Sequence, residues 1–174
     1  MKRNYDKPLL HNLKLINDWK LFGCLRFEEL VSKDRCLQVW YSFIRNIERR
    51  NRGQWFFRLE GDNILTKRHI HFLIGKRGLK KTYSIQNLIK SSIWDLKNRY
   101  SCVKSGTSVI QDFDYSKGGT AYVTKLSGFE APNNKGKGLD SAENSNWKMS
   151  FNLKKRIKRI NENAELIMQD TLLH

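Results

Sequence analysis

The sequence predicts an α+β fold, a central antiparallel sheet of about five strands with flanking helices, in a chain of 174 residues. Two observations carry this. Short stretches with period-two alternation of apolar and polar residues are interspersed with stretches of helical period. Their order (strand, helix, two strands, helix, strand, helix) suits a layered structure with antiparallel pairing and helices on one face.

The first strand is Lys20-Leu21-Phe22-Gly23-Cys24-Leu25-Arg26-Phe27. Cys36, Val39, Trp40, Phe43, Ile44 and Ile47 then recur at i, i+3, i+4, i+7, i+8 and i+11, the signature of a helix with one core-facing stripe. Ser32 offers its N-cap, and Gly53, after Asn51-Arg52, a left-handed C-terminal cap. In the next strand, Gln54 to Glu60, parity puts Trp55, Phe57 and Leu59 on one face and Phe56, Arg58 and Glu60 on the other. In His69-Ile70-His71-Phe72-Leu73-Ile74 it separates Ile70, Phe72 and Ile74 from the two histidines. Eight residues, Gly61 to Arg68, join these strands and permit antiparallel pairing.

Ser84 caps a second helix with apolar residues Ile85, Leu88, Ile89, Ile93 and Leu96, ending near Tyr100. A strand over 107–113, a turn at Ser116 to Gly119 and a short helix from Thr120 to Ser127 follow. The Gly-, Asn-, Ser- and Lys-rich stretch 131–146 reads as a long loop, and 150–168 as a basic C-terminal helix striped by Leu153, Ile157, Ile160, Ala164 and Ile167. That stripe calls for packing on this domain or on another subunit. Trp55 and Trp94 are expected in the core. The length fits one domain spanning 1–174.

Lys and Arg number 33 against 17 Asp and Glu, a net charge of +16 that favours a polyanionic partner, nucleic acid first. No apolar run spans a bilayer, and the charged N-terminus is not followed by the apolar stretch of a secretory signal, so an intracellular protein without a membrane partner is expected. Cys24, Cys36 and Cys102 fit neither a disulfide framework nor a CxxC metal site and are read as packing residues.

His-x-His on a strand sets two imidazoles side by side, close enough to grip one cation, although two histidines so spaced equally suit a solvated surface. Glu60 tips the balance, because it lies on the same polar face of the preceding strand and completes a His-His-Glu set suited to a catalytic cation. On the short helix, Tyr122 and Lys125 are one turn apart and share a face. A phenol with an ordinary pKa of about 10 needs nearby positive charge to act as a nucleophile at neutral pH. Taken alone, the pair equally suits a buried aromatic with a snorkelling lysine.

Element order and motifs together resemble the HUH endonuclease superfamily, the rolling-circle replication initiators of plasmids, phages and single-stranded DNA viruses, with relatives among transposases. The resemblance covers roughly residues 20 to 128. Arg68-His69-Ile70-His71-Phe72-Leu73-Ile74 matches the family's His-hydrophobic-His strand, Glu60 stands where many members carry a third ligand, and Tyr122-Val123-Thr124-Lys125 matches the YxxK form with one catalytic tyrosine. The early apolar strand Leu21 to Phe27 matches only approximately.

The resemblance implies that Glu60, His69 and His71 hold a divalent cation, Mn²⁺ or Mg²⁺, that polarises a scissile phosphate, and that Tyr122 attacks to give a 5′-phosphotyrosine link with Lys125 stabilising charge. It implies as substrate single-stranded DNA at a replication origin, as a hairpin or an open strand, a separate helicase partner, and a bacterial cytoplasm or, for a eukaryotic virus, a nucleus. Transposition by a single tyrosine shares this chemistry. A non-catalytic single-strand-binding protein explains the charge equally well but not the shared face of Glu60, His69 and His71. Gly75 to Thr82 looks superficially like a phosphate-binding P-loop, but Lys80 occupies the second glycine position. Lys76, Arg77, Lys80 and Lys81 are instead candidate DNA-phosphate contacts, with solvated charge the ordinary alternative. Tyr115 is at most a substrate contact. Asp112 and Asp114 suit turn formation better than metal assistance.

Overall fold

The computed structural model describes residues 7–28, 31–48, 52–61, 67–79, 85–123 and 147–172. Among these, five strands form one antiparallel sheet: β1 (Trp19–Arg26), β2 (Trp55–Glu60), β3 (His69–Gly75), β4 (Val109–Asp112) and β5 (Trp147–Met149), in the order β4-β1-β3-β2-β5. The helices are α1 (Lys7–Lys14), α2 (Lys33–Ile47), α3 (Ile85–Arg99), α4 (Gly119–Val123) and α5 (Phe151–Leu172). The expected α+β architecture is present.

One face of the sheet packs on α2. Its stripe of Cys36, Val39, Trp40, Phe43, Ile44 and Ile47 is wholly buried against Leu21 and Leu25 of β1, Phe57 and Leu59 of β2, and Ile70, Phe72 and Ile74 of β3. Trp40 centres this core, its ring 5.0 Å from that of Phe57 and 5.1 Å from that of Phe72. Gly23 lies directly opposite Phe72, and a methyl group there would fall inside the Phe72 ring. Ser32 caps α2 as expected, accepting from Arg35 N at 3.2 Å.

The other face is covered too, which corrects the expectation of helices on one side only. Leu9 and Leu13 of α1, Val123 of α4, and Leu153 and Ile157 of α5 bury Phe56, Leu73 and Met149. A register shift between Trp19 and Leu21 lets Trp19 join this second core, where its indole N–H donates to Leu13 O at 2.9 Å. The stripe of α5 therefore packs on its own sheet. Arg156 ties this helix to Asp18 and Gln54, and Ser150 caps it by accepting from Leu153 N at 3.3 Å.

Other expectations change. Trp94 is 65% exposed rather than core, and Trp55 is only partly buried at the core edge. Ala164 is exposed. Helix α2 ends at Ile47, followed by extended Glu48, so Gly53 makes no left-handed cap; its N–H instead donates to Glu48 Oε2 at 3.2 Å. Helix α1 and strand β5 were not expected at all: eight and three residues give too little periodicity to read. Cys24 and Cys36 are buried and Cys102 partly so, all free thiols, as packing residues should be. Ser84, the stretch 131–146 and the predicted end of the short helix at Ser127 lie outside the described residues.

Candidate metal centre

The register of β2 on β3 is dictated by their buried faces. Phe57 pairs with Phe72 and Leu59 with Ile70 beneath Trp40, and a slip of one residue would drive polar side chains into that core. The same register sets Glu60 opposite His69 and Arg58 opposite His71 on the other face. Cross-strand neighbours of this kind carry Cβ atoms about 5 Å apart. The aromatic core thus positions polar groups that do not belong to it.

Glu60 Oε2 is 3.2 Å from His69 Nε2 and 4.0 Å from His71 Nε2, and the two imidazole rings stand edge to face at 4.8 Å between centroids. One donor atom from each residue lies within 4.8 Å of the others, and this trio is the group among the described residues able to hold a metal ion. Modest side-chain rotation would bring all three onto a common cation at bond lengths of about 2.1 Å. Exposure grades across the trio: the His71 side chain is 5% exposed, Glu60 20% and His69 26%, so the group has a protein wall and an open side.

His71 and Glu60 are in protonation states that suit ligation, and His69 must give up a proton to bind a cation. Burial pushes the His71 imidazole down to about 4, leaving it neutral with a lone pair available at neutral pH, so its approach to Glu60 is not a charge pair. Burial raises the Glu60 carboxyl, but the hydrogen bond from His69 and the nearby His71 and Arg58 outweigh it and hold the group below its ordinary value. The hydrogen bond to Glu60 raises His69 against the effect of burial. His69 Nδ1–H donates to Lys67 O at 3.0 Å and Nε2–H to Glu60 Oε2 at 3.2 Å, so without a cation the ring carries both protons, and a metal bound at Nε2 would displace one of them while the bond to Lys67 keeps the ring in place. A carboxylate and two imidazoles fit a divalent cation.

Around the trio stand residues that the sequence did not single out. Arg26 lies opposite His69 and Cys24 opposite His71 on β1. The Arg26 side chain is exposed, and burial keeps the Cys24 thiol raised, only partly offset by the nearby Arg26 charge. Arg58 is buried beside Glu60. Parity alone had placed Arg58 on the Glu60 face; Arg26 becomes visible only once β1 is registered against β3. A groove of about 290 Å³ adjoins the trio, lined by His71, Arg26, Phe22, Gln111 and Phe113 and reaching Gly119 at the start of α4.

Helix α4 contains Tyr122, whose side chain is not among the described features, and Lys125, Lys80 and Lys81 lie outside the described residues. Lys76 and Arg77 follow the end of β3 remote from His69, roughly 20 Å along the strand, so the structure does not bring them to the trio. Arg77 pairs instead with Asp18 at 3.4 Å. Tyr115 is 55% exposed and stacks edge-on against Phe113. Asp114 accepts from Ser116 N at 2.9 Å, the turn role expected of it, whereas Asp112 is the last residue of β4 rather than a turn former and pairs with Lys20 at 3.7 Å. No helix among the described residues is long and apolar enough to cross a membrane. No family model, curated protein or solved structure matches the chain.

Proposed function

We propose that the chain is a metal-dependent enzyme that nicks and rejoins single-stranded DNA through Tyr122. One observation carries the reading: Glu60, His69 and His71 converge on one face of adjacent strands, within reach of a single cation. The net charge of +16 supports a nucleic-acid substrate, and Arg26 beside the trio offers a guanidinium for a backbone phosphate. The likeness of the His-x-His strand and the YxxK segment to the HUH superfamily supplies the nucleophile.

In this reading Glu60, His69 and His71 hold the divalent cation, and Arg26 steadies the phosphodiester beside them. When bound, the cation supplies Lewis-acid polarisation of a phosphoryl oxygen. Tyr122 gives its phenolic proton to solvent and its Oη forms a bond to phosphorus; the P–O3′ bond breaks and the departing 3′ oxygen takes up a proton. The strand is left with a free 3′-hydroxyl and a 5′-phosphotyrosine, and attack by a 3′-hydroxyl reverses the step. Lys125 stabilises charge on the phosphate. The carboxylate suits Mg²⁺ and Mn²⁺ alike, and the two imidazoles tilt the choice to Mn²⁺. Initiation of rolling-circle replication, inside the host cell and with a separate helicase, is the biological setting that the likeness supports.

Labelled single-stranded oligonucleotides incubated with Mn²⁺ should yield a denaturant-resistant protein–DNA adduct. Chelator and Tyr122→Phe should each abolish it. An adduct that persists in Tyr122→Phe overturns the nucleophile, and tight binding without cleavage across a random library favours a single-strand-binding module.

A further inference from the structure

We infer that Arg58 is a positioning residue for the metal centre, clamping one oxygen of Glu60 so that the other is presented to the cation. The inference rests on the metal-binding reading of the trio. Arg58 is 1% exposed, among the largest fully buried side chains of the molecule, and it occupies a sheet position flanked by His71 on β3 and Trp147 on β5. Burying a guanidinium there costs several kcal/mol of desolvation, and an apolar residue of similar volume is usually no worse for stability. A buried charge at this position therefore calls for a role beyond packing.

The two carboxylate oxygens of Glu60 are divided between partners. Oε1 faces Arg58 Nε at 3.5 Å, while Oε2 faces His69 Nε2 at 3.2 Å and His71 Nε2 at 4.0 Å. Arg58 and Glu60 are two residues apart on one strand, so both project from the same face with little freedom to separate. Glu60 is half-buried at the strand end, and its side chain otherwise has several torsions to settle. An ion pair on Oε1 restricts that freedom and favours one-oxygen ligation through Oε2 over chelation by both oxygens. Outer partners of metal ligands act in this way, and their loss typically lowers metal affinity about 10–100-fold.

The test is Mn²⁺ binding, measured by titration calorimetry and by the loss of the free-ion electron paramagnetic resonance signal, in the full chain without DNA. Wild type should bind one Mn²⁺. Arg58→Met should weaken it about 10–100-fold, and Arg58→Lys, which keeps the buried charge but not the guanidinium, should fall between them. In a Glu60→Gln background, where no carboxylate remains to be oriented, adding Arg58→Met should change affinity less than threefold. This double variant also replaces a charged pair with neutral groups, so it remains informative should Arg58→Met alone fail to fold. Equal losses in both backgrounds, or unchanged affinity in Arg58→Lys and in Arg58→Met, overturn the role of Arg58 while leaving the metal centre standing. No Mn²⁺ binding by wild type overturns the metal centre and this inference with it.

Discussion

Glu60 and His69 face each other directly across the β2–β3 pair, Oε2 to Nε2 at 3.2 Å, although nine positions separate them in the chain. Without a cation this hydrogen bond holds the two donors together; with one, both can turn to it. Mn²⁺ should therefore raise the melting temperature, as any ligand of the folded state does. His69→Ala or His71→Ala should cost more affinity than the roughly 10–100-fold associated with an outer partner. A melting shift by Mn²⁺ that survives in His71→Ala would place the ion elsewhere.

Acid should destabilise the metal-free protein. Burial lowers His71 from 6.5 to about 4 in the folded chain, so between those values the unfolded chain binds more protons and stability is lost as pH falls from 6.5 toward 4. The difference of about 2.5 units corresponds to a few kcal/mol at most, roughly 3. Glu60, lowered on balance, adds stability that is present above its unfolded value and lost as pH falls through its folded one. His69 is raised, so its contribution is complete below 6.5 and lost as pH rises through its folded value, partly opposing the trend. Urea unfolding in chelator at pH 6.5 and 4.5 measures the slope; His71→Asn should flatten it, and an undiminished slope would assign it to other groups.

Arg26 lies beside the trio but outside it. Arg26→Gln should leave Mn²⁺ affinity unchanged while weakening single-stranded DNA. Loss of one phosphate contact should reduce the slope of log K against log salt by about 0.7. An unaltered slope in a salt titration by fluorescence anisotropy would take Arg26 out of the DNA path.

Gly23 and Phe72 should be energetically coupled. Gly23→Ala forces its methyl into the Phe72 ring, an overpacking expected to cost about 1–3 kcal/mol. Phe72→Leu should then cost less in the Gly23→Ala protein than in wild type, by about 0.5 kcal/mol or more. Additive effects in chemical denaturation would mean that the strand moves aside instead.

Much of the fold and part of the site are legible in the sequence for a local reason. The i, i+3, i+4 stripe of α2 and the alternation in β2 and β3 are periodic over enough residues to be read, and parity puts Glu60, Arg58, His69 and His71 on the strand faces turned away from the α2 core. The expectation of Trp94 in the core failed because hydrophobicity states a preference for burial, whereas the packing of α3 decides which face is covered. Likewise the second apolar layer was missed, since short α1 and β5 contribute to it from distant parts of the chain.

What the sequence determined by itself is chemistry and periodicity: which residues offer donor atoms to a cation, which carry charge, and which face of its own strand each one takes. Only the tertiary structure decided register and neighbourhood. It set Glu60 opposite His69 rather than merely on the same side, brought Arg26 and Cys24 to the histidines from β1, and buried Arg58 behind the carboxylate. The physical reason is that strand pairing is fixed by long-range burial of Phe57, Phe72 and Ile70 beneath Trp40, and no local pattern encodes which residue of another strand will stand opposite.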